Sequence, residues 1–232
     1  DARYNPDPLG HLQVIGRDAR GRTQYRYHPT YRESQEAYKF ALCAEFGAAL
    51  PRLRKHVSVA LSRPATDRQA VIAALVRILD TAYLRIGNES YRKANNSFGL
   101  TTLRNRHVKL QGHSLVMQYR GKGGIARSVR LTDKSLARIV RGCQDLPGQR
   151  LFQYQDDEGV ARSIESQDVN AFLHAHLGDA FTAKHFRTWH ASVIAFTALR
   201  SGQSLRDSLD MVSQALGNTP AIARKSYVHP KL

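Results

Sequence analysis

The chain has 232 residues, 42% hydrophobic and 23% charged, which is ordinary for a globular protein with room for one or two domains and a sizeable core. Its 35 Lys and Arg against 19 Asp and Glu leave a formal charge of +16, which points to a polyanionic partner, with nucleic acid ahead of a membrane surface. The sequence holds no apolar run of membrane length and no signal peptide, and its two cysteines, Cys43 and Cys143, lack metal spacing and read as reduced, buried thiols of a cytosolic protein. A start without Met and a stop soon after Tyr227 read as a fragment or a processed chain.

In chain order, residues 10–28 alternate polar and apolar around the turn signal Asp18-Ala19-Arg20-Gly21, which predicts a β-hairpin. Arg17, Arg20, Arg22, Arg26 and Arg32 are interleaved with Tyr25, Tyr27 and Tyr31. Guanidinium forks match phosphate oxygens, and tyrosines add a hydroxyl or a stacking face. The alternative is a solvated hairpin with aromatic cross-strand pairs.

From Glu33 the period becomes helical, with Ala37, Phe40, Ala41, Ala44 and Phe46 near one face. A second helix is expected over Leu50 to Leu61, broken by Ser62-Arg63-Pro64. Asp67 then caps a third, which runs to Leu84-Arg85-Ile86-Gly87-Asn88, where glycine stops it. Arg85 stands near that helix end, where an ordinary role is to face C-terminal carbonyls. Three short strands follow, over 108–110, 115–119 and 126–131, as a meander. The second connection, Arg120-Gly121-Lys122-Gly123-Gly124, puts one lysine among three glycines at a tip. Such a tip approaches a backbone closely, and its lysine either enters a groove or is simply a basic turn residue. It lacks the spacing and the Lys-Ser/Thr pair of a phosphate loop.

Thr132 or Asp133 opens another helix through Leu136, Ile139 and Val140. After the apolar piece Leu151 to Tyr154, Asp156-Asp157-Glu158-Gly159 reads as a loop rather than a metal site, because its carboxylates are adjacent rather than convergent. A helix is expected over Ser166 to Leu177, and another begins in Thr182 to His190. There Lys184 and Arg187, three apart, share a face near a positive N-terminus and suit an anion or a salt-bridged start. A polar connector, Ser201 to Asp207, leads to a helix through Leu209, Val212 and Leu216. Leu216-Gly217 is a helix stop, Asn218 or Thr219 caps the next helix, and Pro220 sits in its first turn. Tyr227 ends that helix one turn after Arg224 and Lys225. Cations near a phenol favour phenolate and attract phosphate, so Tyr227 is either a nucleophile or a ring packed at a helix end.

Each of these sites is ambiguous alone. Their order is not: Arg85 after a helix, Lys122 on a glycine hairpin, Lys184-x-x-Arg187, then Asn218 with Tyr227 nine residues later. Together with Gly16 to Tyr25, Arg85-Ile86-Gly87-Asn88, Phe98-Gly99-Leu100-Thr101-Thr102-Leu103, Phe186-Arg187-Thr188-Trp189 and Leu216-Gly217-Asn218-Thr219-Pro220, the sequence resembles the type IB DNA topoisomerases, in particular the small bacterial and poxvirus-like members, over nearly its whole length.

The resemblance implies an α+β fold, mainly α: a helical catalytic domain with a small three-stranded β meander, the catalytic core of DNA breaking-rejoining enzymes. Residues 1–32 would be the end of an N-terminal β domain, with its remnant hairpin and linker, and residues 33–232 the catalytic domain. It implies relaxation of supercoiled DNA without ATP or metal, through a 3′-phosphotyrosine on Tyr227 and strand rotation. Arg85 and Arg187 would contact non-bridging oxygens, Lys122 would protonate the leaving 5′-oxygen, and Asn218 would donate a hydrogen bond. Arg17, Arg20, Arg22, Gln24, Tyr25, Tyr27, Tyr91, Lys184, Arg224 and Lys225 would contact DNA. No cofactor is implied. The partner is duplex DNA and not a membrane, and the enzyme is expected to be a monomer, cytoplasmic and nucleoid-associated. Three features depart from the pattern: Asn218 stands where many members carry histidine, the connector between Arg187 and Tyr227 is short, and most of the N-terminal domain and the tail are absent. A tyrosine recombinase is the runner-up, but those enzymes usually carry histidine where Lys184 stands. A non-catalytic duplex-binding module is the third reading.

Overall fold

In the computed structural model, which describes residues 2–19, 21 and 23–232, the basic N-terminal stretch folds as three antiparallel strands, β1 (Ala2–Tyr4), β2 (Leu12–Arg17) and β3 (Thr23–Tyr27), in that order. The hairpin expected from alternation is β2–β3, with Ile15 opposite Tyr25 and Gly16 opposite Gln24. Strand β1 was not expected, because three residues are too few for a period to register. The sheet belongs to the first of two compact units, Asp1–Cys43, and the second is Ala44–Leu232.

Helix α1 (Pro29–Ala60) begins in the first unit and ends in the second. It is one 32-residue helix where the sequence suggested two. Pro51 lies inside it and removes one backbone bond, a cost of about 3 kcal/mol. Leu50 and Leu53, each 1% exposed, flank that proline. Burying each contributes ~1.5–3 kcal/mol, enough to carry the helix through.

The second unit is built around α2 (Arg68–Ala82), which is buried from Ala70 to Val76 and again at Ile78 and Leu79. A helix apolar on all sides belongs in a core. Asp67 caps it, accepting from the backbone N–H groups of Gln69 and Ala70. It stops at Ala82 rather than near Gly87, because Tyr83 takes the left-handed conformation at φ 56°. The short α3 (Glu89–Asn95) has no buried residue, and so left no apolar stripe to read in the sequence. The meander is β4 (Val108–Gln111), β5 (Ser114–Arg120) and β6 (Ala126–Thr132), adjacent in that order. Next come α4 (Lys134–Asp145), capped by Asp133, and the pair β7 (Gln153–Gln155) and β8 (Ala161–Ser163), whose connection is the acidic turn. Then follow α5 (Ser166–Leu177), α6 (Ala183–Arg200), α7 (Leu205–Leu216) and α8 (Pro220–Ser226). Cys43 and Cys143 are both buried, and the Cys143 thiol donates to the Gln153 carbonyl at 3.3 Å. The architecture is the α+β, mainly helical one expected, and among the described residues no helix is long and apolar enough to cross a membrane.

Candidate active site

Arg85 sits on an extended segment that leaves the left-handed turn at Tyr83. Its carbonyl accepts from Leu100 N at 2.9 Å, and that of Ile86 accepts from Thr101 N at 2.8 Å. The segment and residues 98–101 lie so close that a Cβ on Gly99 would fall 2.4 Å from Gly87 Cα. Only two facing glycines allow this approach, which accounts for Gly87 and for Gly99 in the Phe-Gly-Leu-Thr-Thr stretch. Phe98 N in turn donates to Arg120 O at 2.7 Å, so the segment carrying Arg85 is tied to the strand leading to Lys122. Lys122 opens a single 3-10 turn, Lys122–Gly124, in which Gly123 (φ 76°) and Gly124 (φ 77°) are left-handed. The glycine-rich tip therefore folds as the sequence suggested.

Tyr227 ends α8. Gly217, left-handed at φ 63°, closes α7, and Thr219 rather than Asn218 caps α8 by accepting from Ile222 N. The tyrosine packs on a cluster that includes Ala191, Ala195, Val212, Leu216 and Val228, and Ser192 Oγ of α6 donates to its carbonyl at 3.4 Å. Its ring lies under the Arg187 guanidinium, 4.8 Å from the ring centroid, and the Arg85 charge also acts on its hydroxyl. Burial opposes ionisation of this phenol. The nearby charges of Arg187 and Arg85 outweigh burial and hold it below its ordinary range. Arg224 and Lys225, the neighbours suggested by sequence, are exposed, so the cations at the phenol come from other elements.

Arg187 is 3% exposed. Its fork donates to the carbonyl of Tyr83 and, at 3.0 Å, to that of Leu216, while its Nε has no partner. Burial, followed by repulsion from Arg85, lowers its pKa from 12.5 to about 10 against the pull of Tyr227. At ~1.4 kcal/mol per unit, the charged form is held at a cost of about 3 kcal/mol, which an anion at the site would relieve. Lys184 is exposed, so the two cations do not share the environment that their spacing suggested.

Arg85, Lys122 and Arg187 line one cleft with Tyr119, Arg127 and Gly217. A wider hollow of about 420 Å³ extends from Arg85 and Lys122 to Asn88 and Tyr91. Asn218 is adjacent to this cleft in sequence, and both polar atoms of its amide are buried without a partner. Such an orphaned amide is costly unless a ligand completes it. On the N-terminal sheet, Arg17 is exposed, Tyr25 and Tyr27 are 56% and 41% exposed, and Gln24 donates to Asp18 at 3.1 Å. Tyr27 also lies against Tyr31, at 5.7 Å between ring centres. Arg20 and Arg22 lie outside the described residues.

A polar network that no sequence pattern announces lies behind Arg187. Asp80 accepts from Arg54 at 2.8 and 3.0 Å and from His190 at 2.9 Å. The His190 ring lies tilted against Tyr83, 4.5 Å between ring centres, and the Tyr83 carbonyl holds Arg187. Burial pushes the Asp80 carboxyl up, but the bonds from His190 and Arg54 prevail and bring it to about 2. Arg127 was also missed, since in an alternating strand it looks no different from Arg130.

The model of the family described as eukaryotic DNA topoisomerase I, catalytic core, matches residues 28–223. The chain is 28% identical to DNA topoisomerase 1B of Acanthamoeba polyphaga mimivirus, over 96% of this chain and 71% of that one. It is 21% identical to DNA topoisomerase 1B of Vaccinia virus (strain Copenhagen), again over 96% and 71%. Among solved structures it is similar in fold, with a TM-score of 0.51 and 16% identity, to the XerH site-specific recombinase bound to its palindromic difH substrate after cleavage; the match covers 78% of this chain and 47% of that one.

Proposed function

This chain belongs to the type IB DNA topoisomerases, of the poxvirus-like kind, and from that premise we propose that it relaxes supercoiled duplex DNA by reversible transesterification at Tyr227. The observation that carries the reading is a phenol whose ring lies under the Arg187 guanidinium and which is held below its ordinary pKa by Arg187 and Arg85, two groups that line a cleft with Lys122. The Tyr227 oxygen attacks phosphorus, the bond from phosphorus to the 5′-oxygen breaks, and a 3′-phosphotyrosine forms. Arg85 and Arg187 take the charge that grows on the non-bridging oxygens, as always-ionised forks do well. Lys122 gives a proton to the departing 5′-oxygen. The unpartnered Asn218 amide donates to a non-bridging oxygen and, being an amide, neither gives up nor takes a proton. The broken strand rotates, and the 5′-hydroxyl then reverses the step. ATP is not needed, since the phosphotyrosyl bond keeps the phosphodiester energy, and the three cations serve where a metal otherwise would.

The DNA contacts proposed with this reading are the exposed Arg17, Tyr25 and Tyr27, with Arg20, Arg22, Gln24, Tyr91, Lys184, Arg224 and Lys225. The formal charge of +16 supports them. A monomer acting in the cytoplasm on nucleoid DNA, as in the small bacterial members, completes the proposal, although the relatives named above are viral. The test is incubation with supercoiled plasmid in chelator without ATP, followed by a denaturing trap. Stepwise relaxation with trapped protein-linked DNA is expected. Relaxation only with ATP or metal, or a requirement for two target sites as in a recombinase, would overturn it.

A further inference from the structure

One side chain outside the expected set spans the site. Arg127, half-buried on β6, lies with its stem 3.3 Å from where a Cβ on Gly121 would stand, beside Lys122. Its guanidinium lies on Gly217, beside Asn218, so closely that a Cβ there would fall 1.8 Å from Nη1. Nη2 donates to the carbonyl of Ala215, in the last turn of α7, at 3.2 Å. The Tyr119 ring lies beside the same point on Gly121, at 3.8 Å, and its strand, β5, leads into the Lys122 turn. Gly217 is thus constrained twice: by its left-handed φ of 63°, which asparagine also tolerates, and by an arginine in the place of a side chain, which only glycine tolerates.

We propose that Arg127 is a positioning residue that clamps the Lys122 hairpin to the α7–α8 turn carrying Asn218 and leading to Tyr227, so that the proton donor and the nucleophile keep a fixed separation across the scissile phosphate. The hairpin tip is a lysine among left-handed glycines, closed on itself by the bonds from Gly121 N to Ile125 O and from Gly124 N to Gly121 O, neither of which reaches the α7–α8 turn. The Arg127 stem packs on Gly121 at the hairpin while its fork lies on Gly217 and bonds the Ala215 carbonyl, and an ammonium group cannot fill the same planar place. The inference rests on the reading of the site given above.

The test is single-turnover cleavage of two matched duplexes, one with the ordinary 5′-oxygen at the scissile bond and one with a bridging 5′-sulfur, which leaves without help from an acid. Arg127→Ala is expected to slow the oxygen substrate about 10²-fold, the scale of a 1 Å misplacement, and the sulfur substrate by much less. Arg127→Lys should not restore the rate. Gly217→Asn, which keeps the left-handed turn but displaces the guanidinium, should give the same raised sulfur-to-oxygen ratio, and it stands in if Arg127→Ala does not fold. A merely structural role would slow both substrates equally. An unchanged ratio in the folded variants, or rescue by lysine, overturns the clamp while leaving the proposed function intact. A wild-type chain that forms no phosphotyrosyl adduct overturns both.

Discussion

Asp80→Asn tests whether the network behind Arg187 holds the site together. The change keeps the shape of the side chain and removes its charge. In the native protein the carboxylate, 8% exposed, accepts from Arg54 at 2.8 Å and from His190 at 2.9 Å, and its pKa falls from 3.8 to about 2. At ~1.4 kcal/mol per unit, that depression corresponds to about 2 kcal/mol of stability from the charge. The folded-state value lies below the unfolded one, so this contribution is complete above about pH 4 and is lost as pH falls towards 2. Thermal melts of wild type and variant at pH 7 should differ by roughly 4–8 °C for a chain of this size. Urea titrations at falling pH should bring the two together near pH 2. Cleavage should slow as well, because His190 braces Tyr83 and the Tyr83 carbonyl holds Arg187. Equal melting at pH 7, or a gap that persists unchanged at pH 2, would mean that the Asp80 charge does not stabilise the fold.

Other outcomes can be checked in the same assays. Lys122→Ala should slow cleavage of the ordinary substrate by about 10²–10⁴-fold, the usual scale of general-acid catalysis, and barely slow the 5′-sulfur substrate. Equal slowing would remove Lys122 from the acid role. Arg85→Ala should shift the limb on which cleavage rises with pH to higher pH, since the Tyr227 phenol loses one of the charges that hold it low. A limb that stays in place would mean the phenol does not set it. Inorganic vanadate or phosphate should raise the melting temperature relative to chloride at equal ionic strength, because an anion relieves the buried Arg187 cation, and Arg187→Met should abolish the rise. An equal rise in that variant would place the anion elsewhere.

How much of this could be read beforehand depends on whether the cause was local. The α7–α8 turn was legible because a left-handed glycine, a threonine cap and a proline in the first turn act within a few residues, and the strand meander showed in its alternation. Helix α1 was not, because Pro51 signals a break locally while burial of Leu50 and Leu53, a tertiary effect, overrides it. The left-handed Tyr83 was equally hidden: nothing about a tyrosine announces φ 56°, and the His190 ring that lies against it comes from more than a hundred residues away. Spacing put Lys184 and Arg187 on one face, but packing left the first in solvent and took the second inside. The cations at Tyr227 are likewise not its sequence neighbours Arg224 and Lys225 but Arg85 and Arg187, brought together by the fold. Proximity in the chain indicated the right chemistry there and the wrong atoms.

The most direct measurement is denaturing capture of protein-linked DNA by wild type and Tyr227→Phe, with duplex binding measured in parallel. A covalent adduct at the strand's 3′ end is expected for wild type and none for the variant, with binding retained by both. An adduct or plasmid relaxation that survives loss of the Tyr227 hydroxyl would contradict Tyr227 as the nucleophile.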